Sequence, residues 1–266
     1  MDIFINLFHE ILYRPFFNGL VFFYKATGDL GVAIIIVTTL IKLLLFPLSK
    51  KQLNSQQEIK KIQPKINAIK EKNKGNREAQ SREMMELYKK EKINPASGCL
   101  PLLIQLPILI ALYRVFIPGK SLFIDGDHLR VAMEVLYSFP YLQSVTEIKN
   151  TFLGIVDLTQ RSIPIALISS ALQFIQTKAL IPKKKTEKKK KDDDKQPAFQ
   201  DVFSGQMVYM MPAITFFFGI SFPAALPLYW SVSTAITIAQ QRFLKGQLKK
   251  DSSETKTLST KKSTKN

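Results

Sequence analysis

The chain has 266 residues, 46% of them apolar, a formal charge of +17 and a single cysteine, Cys99. One cysteine excludes a disulfide framework within the chain, and no paired Cys and His spacing points to zinc. The apolar residues fall in long blocks instead of at core-like spacing, which is the pattern of a membrane protein and leaves the placement of the basic residues, not their number, to be explained.

Residues 3–24, "IFINLFHEILYRPFFNGLVFFY", are apolar but interrupted by His9, Glu10, Arg14 and Pro15. A signal peptide would show a basic start, a clean apolar core and a small-residue cleavage site, and this stretch shows none of them clearly. The expected element over 1–28 is an interfacial amphipathic helix on the extracytoplasmic side, in preference to a sixth span. Five windows then approach the roughly 20 residues that a helix needs to cross hydrocarbon. They are 29–48, 98–116, 162–181, 207–222 and 224–243. Pro223 separates the last two, so they read as an antiparallel helical hairpin. Both are short or interrupted, and short spans belong where the bilayer is locally thin. The expected fold class is therefore an all-α integral membrane protein, with a five-span core over 29–243.

The connections differ in character. Residues 50–93 carry Leu53 and then Ile59, Ile62, Ile66 and Ile69 at steps of three and four, one apolar stripe on a helix. After the turn-like "KNKGN" at 72–76, "REAQSREMMELYKKEKI" reads as a returning helix, so a basic helical hairpin is expected. Residues 117–161 form a loop on the opposite side. The "KKKTEKKKKDDDK" at 183–195 contains no apolar residue, so 183–206 is expected to be a disordered loop and 244–266 a disordered basic tail. Residues 50–93, 183–206 and the tail from Arg242 hold 29 Lys and Arg, against 6 in 1–28 and 117–161. By the positive-inside rule the first group is cytoplasmic, with the amino terminus outside and the carboxyl terminus inside.

Lys42 stands within "TTLIKLLLFPLSKKQ" at 38–52, inside the first span. With a span end near Leu48 it lies about 9 Å deep, at about 1.5 Å of rise per residue. Its stem could snorkel to the surface. An ammonium facing lipid is costly, however, which favours pointing it at a wet interior. The other spans supply polar stripes that suit such an interior. Thr38 lies one turn from Lys42, and Gln105 sits between Pro101 and Pro107. Ser169, Gln173 and Gln176 follow at steps of four and three, and Tyr229, Ser233, Thr237 and Gln240 at four, four and three. One stripe alone could be ordinary interhelical hydrogen bonding. Four stripes and a cation, with no acid inside any span beyond Asp29 at a boundary, suggest a water-filled positive cavity without a counter-ion of its own. Met207, Met210 and Met211 share one side of the fourth span, and thioethers suit either packing or a surface that accepts many helices. The only histidines, His9 and His128, lie outside the spans, so no Ser/His/Asp or Cys/His set is available. No enzyme activity, cofactor or metal is expected, and Cys99 reads as a small buried apolar residue.

The stretch "NPASGCLPLLIQLPILIALYRVF" at 94–116 resembles the signature of the YidC family of membrane protein insertases. So does the order of parts: "IKLLLFPLSKKQ", a basic hairpin, that signature, "FLGIVDL" at 152–158 and "FPAALPLYWSVSTAITIAQQ" at 222–241. The resemblance runs from about Leu30 to Gln241. It implies an insertase and chaperone in the bacterial plasma membrane that helps newly made proteins enter the bilayer, alone or beside the Sec translocon. It also implies a hydrophilic groove open to cytoplasm and lipid but closed outside, holding one basic residue, usually arginine, at the position of Lys42. The groove set expected here is Lys42, Thr38, Gln105, Ser169, Gln173, Gln176, Tyr229, Trp230, Ser233 and Thr237. Three positions depart from the family pattern: Lys42 keeps the charge but loses the planar five-donor fork, Ala225 stands where glycine is common, and Thr234 where asparagine is common. The expected form is the shorter one, without a large extracytoplasmic domain. Expected partners are nascent membrane proteins, the lipid bilayer, the Sec translocon, and the ribosome through the basic tail and hairpin. Two readings of other classes compete: a small-anion transporter or channel, which internal repeats would favour and for which no repeat is evident, and an assembly scaffold that inserts nothing.

Overall fold

The computed structural model describes residues 6–94, 100–116, 122–125, 128–131, 133–180 and 199–263. A π-helical turn, His9–Tyr13, leads into α1 (Arg14–Thr27), then α2 (Leu30–Leu44), α3 (Phe46–Lys72), α4 (Arg77–Lys90) and α5 (Leu100–Phe116). Strands β1 (Leu122–Asp125) and β2 (His128–Val131), the short helix α6 (Pro140–Gln143) and strands β3 (Glu147–Lys149), β4 (Thr151–Phe152) and β5 (Val156–Asp157) follow. Helices α7 (Ile163–Leu180), α8 (Phe199–Ser221) and α9 (Ala225–Ser263) complete the described chain. Two compact units result: Met1–Lys42 with Leu112–Asn266, and Leu43–Ala111. Cys99 lies outside the described residues.

The fold is mostly helical, with four differences from the expected pattern. The first apolar block does not run as one helix from 29 to 48. It breaks at Leu45, and Phe46–Pro47 begins a new helix. Proline is tolerated in a first turn because its missing N–H needs no partner there. Within 117–161 lie five short antiparallel strands, β1–β2–β3 in one sheet and β4–β5 in another. At two to four residues each they are too short for alternation to register. Helix α8 begins at Phe199, inside the segment expected to be a disordered loop, and α9 runs through the expected disordered tail to Ser263. Once a helix is nucleated each further residue adds a hydrogen bond, so a polar sequence without proline can extend it. Residues 181–198 of the expected loop lie outside the described residues. Among the described residues no single helix is long and apolar enough to cross a membrane, although α2 and α3 pass that test together as a bent pair.

In the larger unit, polar side chains clamp α1 onto the 133–149 segment. Asn18, 3% exposed, donates through Nδ2 to Arg14 O (2.8 Å) and Val135 O (3.0 Å), while its Oδ1 accepts from Tyr137 N (2.7 Å). Lys25 donates to Tyr141 O (2.9 Å) and to the Ser144 hydroxyl, and Tyr24 Oη accepts from Lys149 N. The apolar side of α1, with Phe16, Phe17, Leu20 and Val21, is buried.

Asp29 performs two tasks. Its Oδ1 caps α2 by accepting from Val32 N (2.8 Å), and its Oδ2 accepts from Leu153 N (2.6 Å) in the β4–β5 turn. Leu153 (φ 52°) and Gly154 (φ 69°) are both left-handed, as the two central residues of a type I′ turn are, and Ile155 N closes that turn on Phe152 O (3.0 Å). Gly31 meets the Phe152 ring so closely that an added Cβ would lie 2.1 Å from it. Gly219 lets α8 approach Ala166 of α7, where a Cβ would come within 2.7 Å of the alanine methyl. The α8–α9 turn is tied to the segment after β5, since Ala224 N donates to Gln160 O (2.7 Å) and Ala225 N to Leu158 O (3.1 Å).

In the smaller unit, Ile62, Ile66 and Ile93 form a core flanked by Ile59, Met84, Leu87 and Tyr88. Lys65–Glu91 (2.6 Å) and Lys72–Glu83 (2.9 Å) bridge the rim. The bond from Lys72 holds the Glu83 carboxyl below the usual carboxylate range. Asn76 caps α4 by accepting from Ala79 N.

Asn18→Ala should lower stability by about 1–3 kcal/mol, the usual cost of leaving buried partners unsatisfied. Thermal unfolding of the purified chain in detergent checks this, and an unchanged midpoint would contradict the clamp.

Candidate functional site

Lys42 lies in the last turn of α2, and α9 supplies its surroundings. Its ammonium donates to Thr237 Oγ1 at 3.4 Å, a long contact. The Thr237 hydroxyl gives its own proton to Ser233 O (2.8 Å), so it faces Lys42 as an acceptor. One turn on, Gln240 Nε2 donates to Lys42 O at 3.3 Å. Ser233 and Gln240 are buried, and the Oε1 atoms of Gln240 and Gln241 are buried without a partner. Thr38 shares the Lys42 face and is 1% exposed, but its hydroxyl donates to Ile34 O within its own helix (2.6 Å).

A second cluster joins α7 to α9. Trp230 Nε1 donates to Gln173 Oε1 at 3.0 Å, and Gln173 Nε2 donates to Thr177 Oγ1 at 3.3 Å. The Thr177 hydroxyl returns its proton to Gln173 O (2.8 Å). Ser169 is fully buried, with its Oγ unpartnered, and Tyr229 is 1% exposed. Gln176 is half-buried. Ser170 ties α7 to α8 by donating to Pro212 O (2.9 Å). Gln105, half-buried on α5, belongs to the smaller unit.

The structure thus brings Lys42 together with Thr237, and Gln173 together with Trp230. Thr177, bonded to Gln173, and Gln241, buried next to Gln240 in the chain, are absent from the sequence-derived set. Thr177 carried a signal, its position four residues after Gln173, whereas Gln241 stood outside any stripe.

Chemically, the first cluster is a cation among hydroxyls and carboxamides. Among the described residues, the ion pairs are His9–Glu10, Arg14–Glu10, Lys65–Glu91 and Lys72–Glu83, and none includes Lys42. One ammonium proton meets Thr237, which leaves donors for water or for an incoming carboxylate. Among the described residues no group of three His, Cys, Asp or Glu could hold a metal ion. The outer surface is of opposite character: Met210, Ile214, Phe217 and Phe218 make an exposed apolar stripe on α8, and Leu167, Ile168 and Ile175 are exposed on α7. Such surfaces suit lipid contact.

Comparison with known proteins adds a family match. The family model described as "60Kd inner membrane protein" matches residues 22–251. The chain is similar to the membrane protein insertase YidC of Geobacter sp. (strain M21), 34% identical over 233 residues, covering 87% of this chain and 36% of that protein. It is similar to that of Pelobacter propionicus at 32% over 237 residues, covering 88% and 38%, and to that of Lawsonia intracellularis at 33% over 232 residues, covering 87% and 38%. The chain therefore spans little more than a third of the length of these relatives.

Trp230 is the sole tryptophan of the chain, so its fluorescence reports on this cluster alone. Gln173→Leu removes the acceptor of its indole N–H and should shift emission to shorter wavelength. Emission unchanged from wild type would show that the bond is not formed in solution.

Proposed function

The chain belongs to the 60Kd inner membrane protein family, and from that premise we propose that it is a membrane protein insertase and chaperone of a bacterial inner membrane. Its clients are newly made membrane proteins, and its working medium is the lipid bilayer. The reading rests chiefly on one observation: Lys42 is held against Thr237 of α9 without an acidic partner among the described residues. A cation so placed attracts acidic groups in a segment that passes by.

The physical task is clear. A polar segment must cross about 30 Å of hydrocarbon, and each unsatisfied backbone group costs several kcal/mol there. In our proposal Lys42, Thr38, Ser169, Gln173, Gln176, Tyr229, Trp230, Ser233 and Thr237 line a groove wetted from the cytoplasm, so the segment travels part of the way in water. The chain crosses the bilayer five times, in spans built around α2, α5, α7, α8 and α9, with α1 at the extracytoplasmic interface and the α3–α4 hairpin in the cytoplasm. Helix lengths favour a thinned bilayer. Helix α2 has 15 residues, α5 17 and α7 18, which at about 1.5 Å per residue gives roughly 22–27 Å. The client's apolar helix then leaves sideways into lipid, and hydrophobic burial completes insertion without any bond made or broken. The Sec translocon and the ribosome are proposed partners, the latter through the basic end of α9.

Insertion into liposomes holding only this chain, scored by protease protection of a single-span client, tests the proposal. With an acidic outer segment on the client, Lys42→Ala should lower protection about fivefold, the factor that roughly 1 kcal/mol of lost charge attraction gives. Lys42→Arg should sustain it, and a client with a neutral segment should be indifferent. Equal protection with Lys42→Ala on both clients would remove the charge from the mechanism. No protection above empty liposomes, together with saturable uptake of a small anion, would instead support a transporter.

A further inference from the structure

A second polar site lies away from Lys42, where α7 begins, α8 ends and α9 begins. Thr159, Gln160, Arg161, Ser221 and Pro223 line a cleft of about 530 Å³. Its walls are fixed by the backbone bonds from Ala224 and Ala225 to Gln160 and Leu158. Among the described residues Arg161 is the only charged residue of the lining, and neither its guanidinium nor the Gln160 carboxamide has a partner. The nearest acid in sequence, Asp157, does not line the cleft, and its Oδ1 is engaged by Thr159 N (2.8 Å) and Thr159 Oγ1 (2.6 Å). The Ser221 hydroxyl donates to Phe217 O (2.6 Å), so among the described residues Arg161 and Gln160 are the side-chain donors of the lining left for a ligand.

Next to this cleft the surface turns apolar. Ile163, two residues after Arg161, is 61% exposed, and Phe218, three before Ser221, is 56% exposed. Leu167 and Phe217 continue the exposed apolar surface along the two helices. A cationic cleft set against exposed apolar helix faces matches an amphiphile whose anionic head carries acyl chains. We propose that the cleft binds the phosphate of a glycerophospholipid headgroup in the extracytoplasmic leaflet, with the Arg161 guanidinium on the phosphate oxygens and the Gln160 carboxamide beside it. Arginine suits this role because its planar fork meets two oxygens at once. The inference rests on reading α7 and α8 as membrane spans, and not on insertase activity. A lipid so held at the joint of three helices would fix the depth at which they sit in the bilayer.

The test is native mass spectrometry of the full chain in detergent, titrated with palmitoyl-oleoyl phosphatidylglycerol. Wild type should retain a tightly held lipid. Arg161→Gln should weaken that site at least tenfold, and Arg161→Lys should weaken it less. Lys149→Gln, which removes an exposed positive charge outside the cleft, should leave it unchanged. Diacylglycerol with the same chains should bind equally to wild type and Arg161→Gln, and millimolar inorganic phosphate should not displace the lipid. Unaltered lipid retention by Arg161→Gln overturns the proposal, as does an equal effect of Lys149→Gln. Displacement by inorganic phosphate would make the cleft a free-anion site and overturns the lipid assignment. Alkaline carbonate extraction of the same variants separates the two readings: a chain released from the membrane refutes the spans, whereas an integrated chain without Arg161 dependence refutes only the lipid site.

Discussion

An ammonium carried by an apolar helix has to be solvated by something, and that requirement organises the larger unit. Lys42 finds the Thr237 hydroxyl, whose proton is already committed to Ser233 O, and its own carbonyl accepts from Gln240. Both links join α2 to α9. A buried carboxylate would have neutralised the charge, but among the described residues none forms an ion pair with it. Neutral acceptors leave the charge available to a visiting group, at a desolvation cost that partial hydration relieves.

Helix α9 is the shared wall of this arrangement. It meets α2 through Thr237 and Gln240, and α7 through Trp230 and Gln173. Its start is held by the backbone of Leu158 and Gln160. Asp29 and Asn18 fasten α2 and α1 to the short strands and turns of residues 133–157. One end of the larger unit is therefore cross-linked by satisfied hydrogen bonds. At the Lys42 end, by contrast, the buried Oε1 atoms of Gln240 and Gln241 remain unpartnered. Buried polar atoms without a protein partner call for water or a ligand.

Much of this was legible in the sequence because it follows from periodicity. The isoleucine steps at 59, 62 and 66 place one face inward, and Ile62 and Ile66 are in the hairpin core. The stripe of Ser233 and Thr237 was visible for the same reason, and so was its facing of a cation, since Lys42 had no acid near it in any span. Other features escaped because they depend on chain segments far apart in sequence. Asp29 looked like a boundary residue, yet it binds Leu153 across the fold. Gln173 and Trp230 were read on separate helices, and nothing in either helix announces their bond. The break at Leu45 was hidden because "LLLFPLS" is uniformly apolar up to its proline, and hydropathy does not sense a first-turn proline. The strands in 122–157 were too short for alternation, and the extensions of α8 and α9 follow from helix propagation, which composition underrates.

The central claim is that the Lys42–Thr237 neighbourhood is wet and open to the cytoplasm. Single cysteines at Thr237 and at the exposed apolar Phe217, each in a Cys99→Ser background, should be treated with a membrane-impermeant maleimide in inverted membrane vesicles. The account predicts rapid labelling of Thr237→Cys and little of Phe217→Cys. Labelling of neither position would place Lys42 in a dry helix interface and contradict the groove.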